Sequence, residues 1–296
     1  MEKSKVYFIR EITPGNIIKA YEALGKNLEG NVAVKMHSGE QGNQNYLRPE
    51  FVQDVIHHVN GTVVECNTAY EGARNSTEKH KKLIEEHEWN KYFPFDLLDA
   101  EGPDMELEIP NGKVLKKNYV GKNLANYNAL LVLSHFKGHA MGGYGGALKQ
   151  LSIGCASSRG KTLIHTAGVT DDQKVLFQNL PEQDRFLEAM ADAAKSVVDY
   201  FKGNAVYINV MKNISIDCDC DAHASAPCMQ DIGILASLDP VAVDQACLDL
   251  VYQSNDPGKD KLIERIESRH GVHTIESAYD LGVGNREYEL VQIDEK

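Results

Sequence analysis

Residues 129–149 read ALLVLSHFKGHAMGGYGGALK. The first five are an unbroken apolar run of strand length, the pattern of a strand covered on both faces. Residues 134–149 then pack two histidines, two lysines and five glycines into sixteen positions. A buried strand opening into a bare, basic loop is how α/β folds present ligand sites. The same rhythm runs outward in both directions. VYFI (6–9), VAVKM (32–36), TVVEC (62–66), AVYINVM (205–211), DIGILAS (231–237) and YELVQI (288–293) read as further strands. Helical stretches separate them: from Thr13-Pro14 to about Leu24, from Pro49 to Val59, up to His87, 182–201, from Asp239-Pro240, and near 258–269 and 274–281. MELEIPNGKVLKKNYV (105–120) interrupts the alternation with two alternating segments around Asn111-Gly112, a hairpin signal. The predicted fold is therefore α/β, with mostly parallel sheets, flanking helices and a β-hairpin near 105–120. It forms either one compact domain or two α/β lobes, 1–134 and 135–296. Polar loops after the strand ends at 37, 67, 135 and 213 are expected at one sheet edge. No repeat period points to a solenoid.

Composition narrows the function classes. The 296 residues can bury a large core, and 42% hydrophobic with 25% charged content is ordinary for a globular protein. A net charge of −12 argues against nucleic-acid binding, which normally needs a basic surplus. No apolar run reaches the roughly 18 residues of a membrane span. The start, MEKSKVYFIREITPGN, lacks a signal-like apolar core. The expected location is cytoplasmic, and the six cysteines are expected as thiols or metal ligands rather than disulfides. The expected partner is a small anionic molecule, without nucleic acid or membrane; a homo-oligomer stays open.

Candidate chemistry lies in three loops. In the first, Lys35, His37, Glu40, Tyr46 and Arg48 cluster within VKMHSGEQGNQNYLRP, and Lys35 with Arg48 suits a carboxylate or phosphate. Thr68, Tyr70 and Arg74 repeat the pattern on a smaller scale, beside Asn67. The second is the quoted loop, where His135 and His139 flank Lys137, and Gly142, Gly143, Gly145 and Gly146 leave the backbone open to a flat or anionic ligand. The third reads DCDCDAH: Cys218, Cys220 and His223, with Cys228 behind. Thiolates and imidazole on a short loop suit zinc, iron or a cluster. Two positions apart, Cys218 and Cys220 would share a face of an extended segment but stand roughly 7 Å from each other, so both sulfurs meet one ion only if the backbone turns. The flanking aspartates raise thiol pKa values unless a cation is present. Cys155 is a further candidate ligand or nucleophile; Cys66 sits at a strand end, and Cys247 fits a helix core face.

Five segments, VKMHSGEQGNQNYLRPEFV, NTAYEGAR, LLVLSHFKGHAMGGYGGALKQLSIGCASSRGK, ISIDCDCDAHASAPCMQDIGILASLDPVAVDQACLDLVY and LGVGNREYEL, resemble the domain of unknown function 362 family, often labelled uncharacterised iron–sulfur centre proteins. Many members carry a ferredoxin-like insert with CxxCxxC runs after the GCAS segment. Here GCASSRGK continues as TLIHTAGVTDDQKVLFQNLPEQD, without a cysteine. HAMGGYGGALK is also similar to a segment of nickel-pincer lactate racemases. That resemblance implies that Lys149 holds a covalent pyridinium-thioamide nickel cofactor beside the glycines, that His165 ligates nickel and that His139 is a proton-transfer base. Asn67 and Thr68 stand where the racemase has its second catalytic histidine, leaving His37 as the substitute.

Three functions remain open at this level. One is a metal- or cofactor-dependent enzyme acting on a small anionic metabolite, with His139, Lys149 and His37 catalytic, Lys35, Arg48, His135, Asn67 and Thr68 holding substrate, and a nickel, iron or zinc ion on His165, Cys155, Cys218 and Cys220. Another is an iron–sulfur or metal-binding protein for electron transfer or metal handling. A third class, a binding module that keeps the pocket without the redox insert, follows from the missing cysteines.

Overall fold

The computed structural model describes residues 3–294. Its strands are β1 (Ser4–Ile9), β2 (Val32–Lys35), β3 (Gly61–Glu65), β4 (Phe95–Leu97), β5 (Met105–Glu108), β6 (Lys117–Val120), β7 (Ala129–His135), β8 (Lys137–His139), β9 (Gly143–Gly145), β10 (Ala205–Met211), β11 (Gly233–Ser237) and β12 (Tyr288–Gln292). Eight of them form one sheet in the order β12-β1-β11-β10-β7-β2-β3-β4, which draws strands from both sides of residue 134. From β10 to β4 every pairing is parallel. Only β11 runs against its neighbours β10 and β1, and β12 lies parallel to β1. The mostly parallel α/β sheet read from the sequence is the fold observed.

The apolar run at 129–133 sits where its composition demands. Leu130 and Val132 face one core, and Ala129, Leu131 and Leu133 face the other. Helices Pro14–Ala23 and Pro49–His58 cover the second face through Ile17, Ala20, Val52 and Ile56. Helices Gln183–Phe201 and Pro240–Gln253 cover the first through Ala191, Ala194, Val243 and Cys247. The expected caps form: Thr13 Oγ1 accepts from Asn16 N at 3.2 Å, and Asp239 Oδ1 accepts from Val241 N and Ala242 N.

The hairpin near 105–120 pairs β5 with β6, Met105 opposite Val120 and Glu108 opposite Lys117. Asn111 takes a positive φ of 63°, as the Asn-Gly signal requires, but the connection is longer than a two-residue turn. The reason is Asp192, whose carboxylate collects the amides of Lys113, Val114 and Leu115 and holds the loop against helix Gln183–Phe201.

The glycine-rich stretch is itself a small antiparallel hairpin, β8 with β9, His139 opposite Gly143. Gly143 has φ +80° and lies so close to the backbone at Gly271 that a Cβ would sit 2.9 Å from its Cα. Gly146 leaves room for the buried Asp244 carboxylate, which would be 2.5 Å from an added Cβ. Asp244 accepts from Asn209 Nδ2 (2.7 Å), Ala147 N (2.8 Å), Leu148 N (3.0 Å) and Tyr144 Oη (3.1 Å). It ties the turn that carries Lys149 to β10. Asp244→Ala strands four buried donors, so the expected loss of unfolding free energy is about 3 kcal/mol or more. Urea unfolding of wild type and variant measures it.

Candidate active site

The parallel strands β2, β3, β7 and β10 end on one edge, and their following loops meet there. Between them lies a cavity of about 530 Å³. His37, His139, Lys149 and His165 all line it, so the residues singled out at three distant places in the sequence converge. Lys35 and Thr68 also line it, as does Cys220.

Other expected residues have different work. His135 is buried behind the cavity, where Asp219 Oδ1 lies 2.9 Å from its Nδ1. Arg48 lies 4.0 Å over the Tyr46 ring and donates to Gln44 O. Asn67 bonds Thr77 and His80. Gly142, Gly143, Gly145 and Gly146 do not line the cavity; they let β8 and β9 pack closely against their surroundings. Cys155 is fully buried, and its carbonyl accepts the Cys66 thiol at 3.4 Å; burial pushes the Cys155 thiol up to about 11.

One wall depends on Glu65, at the end of β3. Its carboxylate takes Arg74 Nη1 at 3.0 Å, His80 Nε2 at 3.3 Å and Ser38 N at 3.1 Å. Arg74 Nε reaches Glu40 Oε2 at 3.1 Å, which joins the two N-terminal loops. Burial works to raise the Glu65 carboxyl, but His37, His80 and Arg74 outweigh it and hold it well below the usual carboxylate range. Burial itself keeps both rings below their ordinary value, so the guanidinium carries the compensating charge.

The cysteine loop turns. Asp221 N bonds Cys218 O at 3.0 Å, and the Cys220 amide points to Cys218 Sγ at 3.5 Å. Both sulfurs and a His139 ring nitrogen then lie within 4.8 Å of one another. The flanking aspartates spend their charge elsewhere: Asp219 on His135 and on Lys137 Nζ at 2.7 Å, Asp217 on Arg265 at 3.3 Å. The cation facing the thiols is Lys149, with Nζ 3.3 Å from Cys218 Sγ. The hydrogen bond from Cys220 and the Lys149 and Lys137 charges pull Cys218 well below the usual thiol range against the effect of burial. Cys220 moves the opposite way, because it supplies that hydrogen bond and is buried. The two thiols are thus displaced in opposite directions, Cys218 toward the thiolate and Cys220 toward the thiol. Burial works against the Lys149 charge, but Cys218 and Cys220 prevail and raise its pKa.

The imidazoles are fixed in opposite senses. His139 Nδ1 accepts from Gly142 N at 2.8 Å and Met141 N at 3.2 Å, which assigns the ring proton to Nε2. His165 Nδ1 lies 2.7 Å from Lys161 O, an acceptor only, so Nδ1 carries the proton and Nε2 keeps a lone pair. The His165 ring stacks on Phe186, with centroids 5.2 Å apart. Burial pushes His165 down to about 4, helped by Lys149 and Lys161, and burial with Lys149 holds His139 well below its ordinary value. Both rings are neutral at neutral pH.

Sequence reasoning passed over Lys161. It stands one helical turn before His165 on helix Ser158–His165, a spacing that puts both on one face. Lys35 is 1% and Lys161 5% exposed, yet among the described residues neither makes an ion pair. Lys35 donates to Met36 O and to Gln150 Oε1 (2.9 Å), and Lys161 to Ala156 O at 2.6 Å. Gln150 is delivered by a π-helical turn, Gln150–Gly154, a form frequent at functional sites. Burial lowers Lys35 to about 8. The carboxylates lining the cavity are Glu40, Glu65, Glu71 and Asp221, and Glu40 and Glu65 are paired with Arg74; Lys35 and Lys161 are left with no carboxylate in ion-pair contact, an arrangement that suits an anion from outside.

Against this geometry the comparisons can be read. The family model described as "Domain of unknown function (DUF362)" matches residues 32–249, most of the chain. This protein belongs to that family. No curated protein matches the chain. Among solved structures, the lactate racemase apoprotein from Thermoanaerobacterium thermosaccharolyticum is similar at a TM-score of 0.45 and 12% identity, over 98% of this chain and 83% of that one. A Thermotoga maritima protein solved by structural genomics is similar at 0.45 and 10%, over 90% of this chain; the match spans 58% of its length. Likenesses this distant leave the chemistry to be read from the residues themselves. Among the described residues no helix is long and apolar enough to cross a membrane.

The groups implied by resemblance fit this site poorly. A four-thiolate cluster lacks its donors, since only Cys66 and Cys220 among the described cysteines line the cavity. A metal on Cys218 and Cys220 would meet the Lys149 ammonium, and His139 has committed Nδ1 to accepting amides, which opposes metal binding through Nε2. An attached cofactor would need Lys149 released from Cys218.

Two outcomes follow for these groups. Between pH 6.5 and about 4 the unfolded chain binds a proton at residue 165 that the folded chain refuses, so stability rises with pH across that window. His165→Gln removes that contribution, on the order of 3 kcal/mol. Denaturant unfolding from pH 7 to 4 should therefore fall less steeply for the variant. Lys149→Met takes the cation from the thiol pair, and thiolate absorbance should then appear at higher pH than in wild type.

Proposed function

We propose that this protein is an enzyme that moves a proton on a small anionic metabolite held in the cavity. The observation that carries the reading is the pair of neutral histidines with opposite tautomers, His139 and His165, beside two unpaired ammonium groups. Lys35 and Lys161 bind the anion. His165 Nε2 takes the proton, becoming an imidazolium that burial disfavours and the bound anion favours. His139 donates a hydrogen bond from Nε2 to the oxygen on which charge develops, the role in which a neutral imidazole works as an electrophile. His37 Nδ1 accepts from Gly39 N at 3.0 Å, so it too offers an Nε2 donor. The proton on His165 is returned to the product, and the balance closes without a redox step.

The closeness of His139, Cys218 and Cys220 supports a second reading, in which a soft metal ion is handled or used at this edge. The Lys149 contact and the His139 tautomer weigh against it. Zinc, nickel or iron bound stoichiometrically to the purified protein and lost from Cys218→Ser/Cys220→Ser would put this reading first.

The first reading is tested by proton exchange. Small 2-hydroxy and 2-keto acids incubated with the protein in deuterated water are followed by nuclear magnetic resonance. The expected result is deuterium at the carbon beside the carboxylate or keto group, slowed about 10²–10⁴-fold in His165→Gln. Exchange undiminished in that variant would remove His165 from the reaction and overturn the proposal.

A further inference from the structure

The cavity is much larger than a lactate-sized acid needs. Its volume of about 530 Å³ falls within the range of roughly 300–1,000 Å³ that encloses ligands of many more atoms. Its lining is also divided. Lys35, Gln150 and Lys161 belong to a polar side on which the carboxylates of Glu40 and Glu65 are paired with Arg74. Met141, Ile153, Leu176 and Phe177 give an apolar one. Met141 and Ile153 are continuous with the packed cluster of Phe186, Leu187 and Met190, the same Phe186 that supports His165. Leu176 is buried, while Phe177, one residue on, is 65% exposed in a short 3₁₀ turn, Gln173–Gln178. A large aromatic side chain left in water at the rim of an apolar wall gains free energy when something apolar covers it.

Resting on the anion-binding reading above, we infer that the ligand is amphipathic: one anionic head group on Lys35 and Lys161, and an apolar body, aryl or branched alkyl, against Met141, Ile153, Leu176 and Phe177. The head fixes the reacting carbon beside His165, because Lys161 and His165 share a helix face. The body displaces water from the apolar wall and covers Phe177. Specificity then resides on the apolar side, and charge alone does not select the substrate.

Calorimetric titration with lactate, 3-phenyllactate and the uncharged 3-phenylpropanol separates these contributions. 3-Phenyllactate is expected to bind about tenfold or more tighter than lactate, and 3-phenylpropanol to bind far more weakly than 3-phenyllactate. Phe177→Ser, at an exposed position that does not threaten the fold, should shrink the phenyllactate-to-lactate affinity ratio. Lys161→Met should weaken both acids. Equal affinity for the two acids, with both dependent on Lys161, would overturn the amphipathic ligand and leave the anion site standing. Acid binding insensitive to Lys161→Met and Lys35→Met, or absent altogether, would instead overturn the anion site on which the inference rests.

Discussion

A buried charge must be matched, and the ion pair of Glu65 with Arg74, 3.0 Å apart and almost wholly out of water, is where this molecule meets that constraint. Glu65 ends β3; Arg74 closes the following loop; through Glu40 the pair reaches the loop after β2. Asp219 does the equivalent on the other side, binding His135 and Lys137 while its carbonyl accepts Glu40 N at 2.8 Å. Two carboxylates thus fasten loops from four strands into a rigid rim. Removing either partner would leave an uncompensated charge in a low-dielectric setting, so the rim is held together by mutual obligation rather than by apolar packing alone.

Inside that rim the charges are unevenly paired. Glu65, Glu40 and Asp219 are consumed by Arg74, Lys137 and the histidines. Lys149 is answered by the Cys218 sulfur. Lys35 and Lys161 have only neutral acceptors. The cavity of this chain of net charge −12 is lined by both signs, Lys35, Arg74, Lys149 and Lys161 against Glu40, Glu65, Glu71 and Asp221, and it is the pairing that leaves Lys35 and Lys161 open to an anion. Long-range attraction of an anion is opposed by the surface, and the affinity has to come from short-range contacts inside.

Much of this could be read from the sequence because strands and their polar exits are local. The run at 129–133 alternates between two cores, and the exits at 37, 67, 135 and 213 meet at one edge as their spacing implies. His139 and Lys149 lie in the stretch that follows β7 and were visible there, whereas His165, on helix Ser158–His165, was singled out by the resemblance to nickel-pincer lactate racemases. What escaped depends on distant partners. Asp219 meets His135 across 84 residues, and Asp244 meets Ala147 across 97. The glycines looked like a ligand cradle, since only the fold reveals that Gly143 faces Gly271 and Gly146 faces Asp244. Arg48 looked like an anion clamp, yet an aromatic neighbour two positions away had first claim on it. Tautomers have no sequence signature at all; they are set by which backbone groups each ring meets.

The strand order has a bearing on how the chain is made. β1 precedes the other strands of the sheet along the chain, but its neighbours in the sheet are β11 and β12, which begin at Gly233 and Tyr288. The parallel block from β4 to β10 can assemble and shape the cavity while β1 still offers an open backbone edge to other chains. Until residues 233–237 are made, β1 has no strand neighbour on either side and β10 is open on one, and such unpaired edges are where chains can associate before the sheet closes.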